Sequence, residues 1–179
     1  MTIIGLSGKA GVGKTTLANY MSQTFFYKKL SMAYELKNLA MLMFPFTSID
    51  LSSPSRKEKK FKEYDWTPRE FLVGLGDFLR YHDENYLLNK ALADLNNKEF
   101  KYIFDDIRYE NEANKIKELG GVVVRVNRYQ KDNRIPSMDI KSETSLDNYK
   151  FDYVVDECNN TSLTELYKQG IRIQKQFGK

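Results

Sequence analysis

The sequence predicts an α/β fold, a mostly parallel five-stranded sheet flanked by helices, on three observations. Short apolar runs alternate with helical patterns; a glycine-rich stretch joins the first apolar run to a helix; and a long helical stretch interrupts the alternation between the second and third strands. A single domain spanning 1–179 is expected, because 179 residues with 41% hydrophobic, 29% charged and 13% aromatic side chains make one globular unit. No linker, repeat or low-complexity tract divides the chain.

Thr2–Ser7 is a buried strand, followed by a glycine loop and a helix over Lys14–Phe26. Leu30–Tyr34 is a weaker strand candidate leading into a helix over Glu35–Met43, which Pro45 stops. The helical insertion, approximately 50–97, opens with the polar, basic run Ser52–Lys62, which fits a solvated face better than a nucleic-acid patch. Within it, Thr67-Pro68-Arg69-Glu70 combines an N-cap Thr, Pro at the first helical position and Glu at the third, so three signals agree on one helix start. Lys101–Asp106 is a strong strand, and the helix over Glu110–Leu119 ends at Gly120-Gly121. Val122–Val126 and Tyr153–Asp156 are two further strands, and Ser162 with Glu165 has capping-box spacing at the start of the last helix.

Several function classes drop out early. No apolar run approaches the ~20 residues of a membrane span, and the N-terminus lacks the basic region of a signal peptide, so a cytoplasmic protein without a membrane partner is expected. Cys158 and His82 are the sole residues of their types, which argues against zinc chemistry and His-based acyl transfer. The balance of 28 basic against 24 acidic residues, a net +4, says little by itself.

Gly8-Lys9-Ala10-Gly11-Val12-Gly13-Lys14-Thr15 matches G-x-x-x-x-G-K-[ST] and lies between a strand and a helix, the context the motif requires. Its glycines let successive N–H groups wrap a nucleotide β-phosphate. Lys14 reaches the β- and γ-phosphates, Thr15 offers a hydroxyl to Mg2+, and Thr16 supports the α-phosphate region. ATP with Mg2+ is therefore the expected ligand pair. A GTPase would add N-K-x-D, but Asn89-Lys90 and Asn97-Lys98 both lack the aspartate. A partition-type ATPase carries K-G-G-x-G-K-[ST], from which Lys9–Thr15 departs only at Ala10, although its aspartate switch after the second strand is not found.

The arginines favour a third reading, a small kinase with a phosphate-bearing acceptor. Arg69 and Arg80 lie in the insertion, Arg108 follows the third strand, and Arg128 and Arg134 bracket a polar loop, so five of the eight fall where phosphates would bind. Arginine neutralises phosphate with planar, bidentate geometry that lysine lacks. Arg69, Val73, Gly76 and Arg80 share one helix face, the two arginines about 16 Å apart along the axis. Gly74 and Gly76 weaken that helix, which a close-lying ligand, a neighbouring backbone or a kink would explain. Asp105 and Asp106 end a strand, where a carboxylate orders Mg2+ or meets the acceptor, and alternation lets one of them do so. The charged stretch approximately 129–141 suits a lid that excludes water.

Together, Gly8–Thr15, Thr67–Arg80, Asp106–Ala113 (Asp-Ile-Arg-Tyr-Glu-Asn-Glu-Ala), Arg125–Arg128 and Ser142–Asn148 (Ser-Glu-Thr-Ser-Leu-Asp-Asn) resemble the deoxynucleoside monophosphate kinases of tailed bacteriophages over nearly the whole chain. The resemblance implies a P-loop kinase fold and transfer of the ATP γ-phosphate to deoxynucleoside monophosphates. It implies Lys14, Asp106, Arg128 and Arg134 as catalytic, and Gly8 to Thr16 as the ATP site. Thr15 with Asp105 or Asp106 would be the metal ligands, and Lys37, Arg69, Gly76, Asp77, Arg80, Tyr81, Arg108, Glu112 and Glu143 the acceptor side. A homodimer, no specific nucleic-acid partner and, for a phage-encoded enzyme, the host cytoplasm are also implied. Two features depart from the pattern. Ile140-Lys141-Ser142-Glu143 stands where many relatives have H-x-S-E, and Tyr86 stands where a Trp is often found. The Ser-Glu-x-x-Leu-Asp-Asn segment is also similar to animal-type phosphomevalonate kinases.

Overall fold

A computed structural model describes residues 1–128, 141–157 and 162–178, with the side chains of Arg128, Glu143 and Glu157 left out. The chain divides into two compact units, Met1–Ser31 with Leu95–Lys179, and Met32–Asp94.

The first unit is built on five strands, β1 (Thr2–Ser7), β2 (Tyr27–Leu30), β3 (Lys101–Ile107), β4 (Val122–Arg128) and β5 (Tyr153–Glu157), in the order β2-β3-β1-β4-β5. Every pairing is parallel. All carboxyl ends therefore lie along one edge, and the connection leaving β1 runs toward β2 while that leaving its neighbour β4 runs toward β5, which opens a crevice beyond the carboxyl ends of β1 and β4. Helix α1 (Lys14–Phe25) and the C-terminal helix (Leu163–Phe177) enclose one apolar core with the sheet. Leu17, Ala18 and Met21 of α1 and Ile173 of the last helix are fully buried there, about 1.5–3 kcal/mol for each large side chain. A further helix, Glu110–Glu118, packs on β1 and β4 through Ile116.

The second strand lies earlier than its pattern suggested. It spans Tyr27–Leu30 rather than Leu30–Tyr34, paired with Lys101–Phe104. Only Tyr27 and Leu30 are buried, while Lys28 and Lys29 face solvent on the sheet edge, where lysines discourage pairing with another chain. The two lysines hide the strand from an apolar-run reading. Helix α1 also leaves no loop before it: Phe26, at φ 60°, ends the helix in the left-handed region and Tyr27 begins the strand.

The second unit is helical: α2 (Tyr34–Met43), α3 (Ser48–Ser52), α4 (Pro54–Lys57), α5 (Pro68–His82) and α6 (Tyr86–Leu92). Its core gathers Ala40, Phe46, Leu51 and Phe61, with Phe44, Trp66 and Phe71 packed against them. Trp66 stacks on Phe71 at 5.3 Å, and Phe44 meets Phe71 edge-on at 4.9 Å. The predicted start of α5 is realised. Thr67 accepts from the Glu70 amide at 3.2 Å, Glu70 accepts from the Thr67 amide at 2.7 Å, and Pro68 occupies the first turn. Helix α3 has its own capping box, in which the Thr47 hydroxyl and amide, assisted by Arg56, hold the Asp50 carboxyl below its ordinary range.

Candidate active site

The loop between β1 and α1 takes its shape from three glycines at positive φ: Gly8 at 145°, Gly11 at 79° and Gly13 at 103°. At Gly8 the requirement is also steric, since a Cβ there would sit 2.3 Å from the Val126 carbonyl oxygen of β4. Gly13 caps α1 without a side-chain hydrogen bond, and no acidic residue stands in the first turn. The positive end of the helix therefore faces the loop uncompensated by a carboxylate from that turn. Lys14 is buried to 8% exposure, and its ammonium donates to the carbonyls of Gly8 at 2.6 Å and Lys9 at 2.8 Å. A cation is thus held inside a ring of backbone whose glycines leave room for phosphate oxygens. These residues fit the triphosphate of ATP.

The end of β3 lies on the same sheet edge. Asp105 is buried at 9% exposure, with Lys29 4.0 Å from its carboxylate. Asp106 is half-buried and accepts a 2.6 Å hydrogen bond from the Ser31 hydroxyl at the end of β2. Adjacent on one strand, the two carboxylates have different partners, one a cation and the other a neutral donor. With the exposed hydroxyl of Thr15, the aspartates supply the hard oxygen donors that Mg2+ prefers.

Glu112, 2% exposed, accepts the backbone N–H groups of Arg108 at 2.8 Å and Tyr109 at 3.2 Å, capping the helix Glu110–Glu118. The half-buried Arg108 side chain reaches the Ser142 carbonyl at 3.4 Å. Arg134 and nearly all of the expected lid lie outside the described residues, as do the side chains of Arg128 and Glu143.

The remaining acceptor candidates belong to the second unit. Arg69, Val73, Gly76 and Arg80 do share the less exposed face of α5, while Asp77 and Tyr81 lie on the exposed side, Tyr81 at 85%. Arg69 is ion-paired through its Nε with Glu58. Gly76 is buried because the Arg80 guanidinium folds back over it: a Cβ would meet Arg80 Nη1 at 2.9 Å and Leu36 of α2 at 3.5 Å. Gly74 has open space around it. Lys37 is half-buried on α2, beside Leu36 in the sequence.

Sequence reasoning passed over three residues that act on these groups. Ser31 follows strand β2, whose position the apolar pattern does not reveal, and Glu58 lies before the start of α5, in no helix shared with Arg69. Asp147 fell inside the quoted Ser142–Asn148 segment but carried no role; its carboxylate bonds Arg125 at 3.0 Å and lies 3.8 Å from the Lys9 ammonium.

Comparison with known proteins adds to the geometry. No family model matches the chain. The solved structure of dephospho-CoA kinase from Campylobacter jejuni superposes with a TM-score of 0.54 over 98% of this chain and 97% of that one, at 14% identity, which establishes the fold. A protein of Acanthamoeba polyphaga mimivirus named "Putative deoxynucleotide monophosphate kinase" is 29% identical over 94% of both chains. The chain has a P-loop kinase fold. The mostly parallel five-stranded sheet expected from the sequence is present with every pairing parallel, and among the described residues no helix is long and apolar enough to cross a membrane.

Proposed function

We propose that the kinase transfers the γ-phosphoryl group of ATP to a deoxynucleoside monophosphate, yielding ADP and the deoxynucleoside diphosphate. The end-to-end similarity to the mimivirus protein carries the choice of acceptor, and the caged Lys14 ammonium in its glycine loop supports the donor side. An oxygen of the acceptor phosphate attacks the γ-phosphorus in line, the bond from phosphorus to the β,γ-bridging oxygen breaks, and ADP leaves. The attacking oxygen is already anionic at neutral pH, so no strong general base is required.

Gly8 to Thr16 bind the ATP phosphates, and Lys14 offsets charge on the β- and γ-groups. Thr15 and Asp106, with Asp105 as the alternative carboxylate, would hold Mg2+, which neutralises charge on the bound triphosphate. Arg69 and Arg80, with Arg108, bind the acceptor, and Lys37, Asp77 and Tyr81 belong to the same proposed set. Glu112 serves it by fixing the backbone at Arg108, and Glu143 is assigned there by resemblance alone. Arg128 and Arg134 are assigned to the charge of the transferring group on the same basis.

A panel assay tests this proposal. ATP and Mg2+ are supplied with each deoxynucleoside monophosphate, with ribonucleotides and phosphomevalonate as controls, and ADP formation is followed. ADP release that depends on a deoxynucleoside monophosphate is expected; release that follows phosphomevalonate, or ignores every added nucleotide, would overturn it.

A further inference from the structure

We propose that Asp147 is a positioning residue for the phosphate loop, acting through Lys9; this inference rests on the ATP-binding reading of that loop. Asp147 sits in the segment that leads from the short helix Lys141–Thr144 to β5, and this segment is fastened on several sides. Leu146 is buried at 2% exposure, the Tyr149 hydroxyl donates to Asn114 at 3.0 Å, and the Asp152 carboxylate accepts the Val123 amide of β4 at 2.8 Å. The Asp147 backbone is thus flanked by fixed points.

Its carboxylate is fixed as well. One oxygen accepts from Arg125 Nη2 at 3.0 Å, and Arg125 is itself held, its Nε donating to Asn127 at 3.1 Å and its guanidinium 5.5 Å from the centre of the Phe151 ring. The other oxygen lies 3.8 Å from the Lys9 ammonium. Lys9 is the loop residue whose carbonyl receives Lys14 at 2.8 Å. The Lys9 side chain is therefore tethered to a fixed carboxylate while its main chain holds the cation that meets the phosphates. Restricting Lys9 in this way keeps its carbonyl aimed at Lys14, so that less ordering is needed when a triphosphate binds.

A carboxylate near this loop has a second, opposite effect, because it repels phosphate. Arg125 offsets that repulsion, and the sign of the Asp147→Asn effect separates the two. If Asp147 positions the loop, its loss weakens ATP; if it acts as an electrostatic brake, its loss frees Lys9 for phosphate and tightens ATP. The pair is partly exposed, with Lys9 at 59% and Asp147 at 38%, so its contribution is modest.

Equilibrium titration with a fluorescent ATP analogue, without acceptor or turnover, provides the test. Asp147→Asn is expected to raise the dissociation constant about two- to fivefold, with Asp147→Glu recovering most of the loss and deoxynucleoside monophosphate binding unchanged. On a Lys9→Gln background Asp147→Asn should add nothing, and Lys9→Gln alone should show the same loss should the Asn variant not fold. Unchanged or tighter ATP binding in Asp147→Asn, or equal losses for both ligands, would overturn the inference. Failure of the wild-type chain to bind the analogue would instead sink the ATP-binding reading, and this inference with it.

Discussion

The phosphate loop of the first unit and helix α5 of the second are both assigned to phosphates in the proposed function, but they are specified by different means. The loop is written in backbone conformation: three glycines at positive φ, a helix capped without a side chain, and a lysine bonded to main-chain carbonyls. Helix α5 is written in side chains: Arg69 is ion-paired with Glu58, and Arg80 folds over Gly76. Backbone geometry suits a ligand part common to every turnover, the triphosphate. Long side chains with interchangeable partners suit the part that varies, the acceptor. Substitutions in the loop should therefore break the enzyme, and those on α5 should retune it.

The largest effect is expected at Lys14. Lys14→Ala removes the cation and leaves two carbonyls without their donor, and kcat should fall about a thousandfold in a coupled ADP assay, with the sheet intact by circular dichroism. Gly8→Ala comes next, because both φ and the 2.3 Å approach to the Val126 carbonyl oppose a side chain. A stability loss of about 3 kcal/mol is expected in urea unfolding. At Gly74, in a helix with nothing within 4 Å of an added Cβ, the same substitution should instead gain up to about 1 kcal/mol, and a loss there like that at Gly8 would erase the contrast.

On α5 the expected pattern differs. Arg69→Ala should raise the acceptor KM about tenfold while leaving the ATP KM unchanged, and Glu58→Gln should shift the same constant by less. Equal changes in both Michaelis constants would erase the distinction between the two regions.

The smallest effect concerns Tyr27, whose buried hydroxyl has no hydrogen-bond partner among the described residues and whose ionisation is pushed up to about 12 by burial. In the unfolded chain the phenol ionises near 10.0. Between those values the unfolded state sheds the proton first, so stability falls as pH rises from 10 toward 12. Tyr27→Phe should gain about 1 kcal/mol at neutral pH and lose less stability than the wild type between pH 9 and pH 11.5 in urea titrations.

The same contrast governs what the sequence discloses. The glycine loop and the Thr67-Pro68-Arg69-Glu70 helix start are legible because local backbone rules fix residue type at fixed spacing. Strand β2 was misplaced because Lys28 and Lys29 break its apolar run on an edge that needs no second buried face. Ser31, Glu58 and Asp147 escaped for a related reason. Each acts on a residue distant in sequence, at Asp106, Arg69 and Lys9, and no local pattern records such a pairing. The arginines are legible through where they fall along the sequence, but their partners are not.

The most direct measurement follows the phosphorus itself. With ATP labelled at the γ-position, Mg2+ and one deoxynucleoside monophosphate, products are separated by chromatography over a single turnover. Phosphoryl transfer predicts label at the β-position of the deoxynucleoside diphosphate, lost with Lys14→Ala. Label released as inorganic phosphate at the same rate with and without the acceptor would contradict the kinase assignment and point to an ATPase.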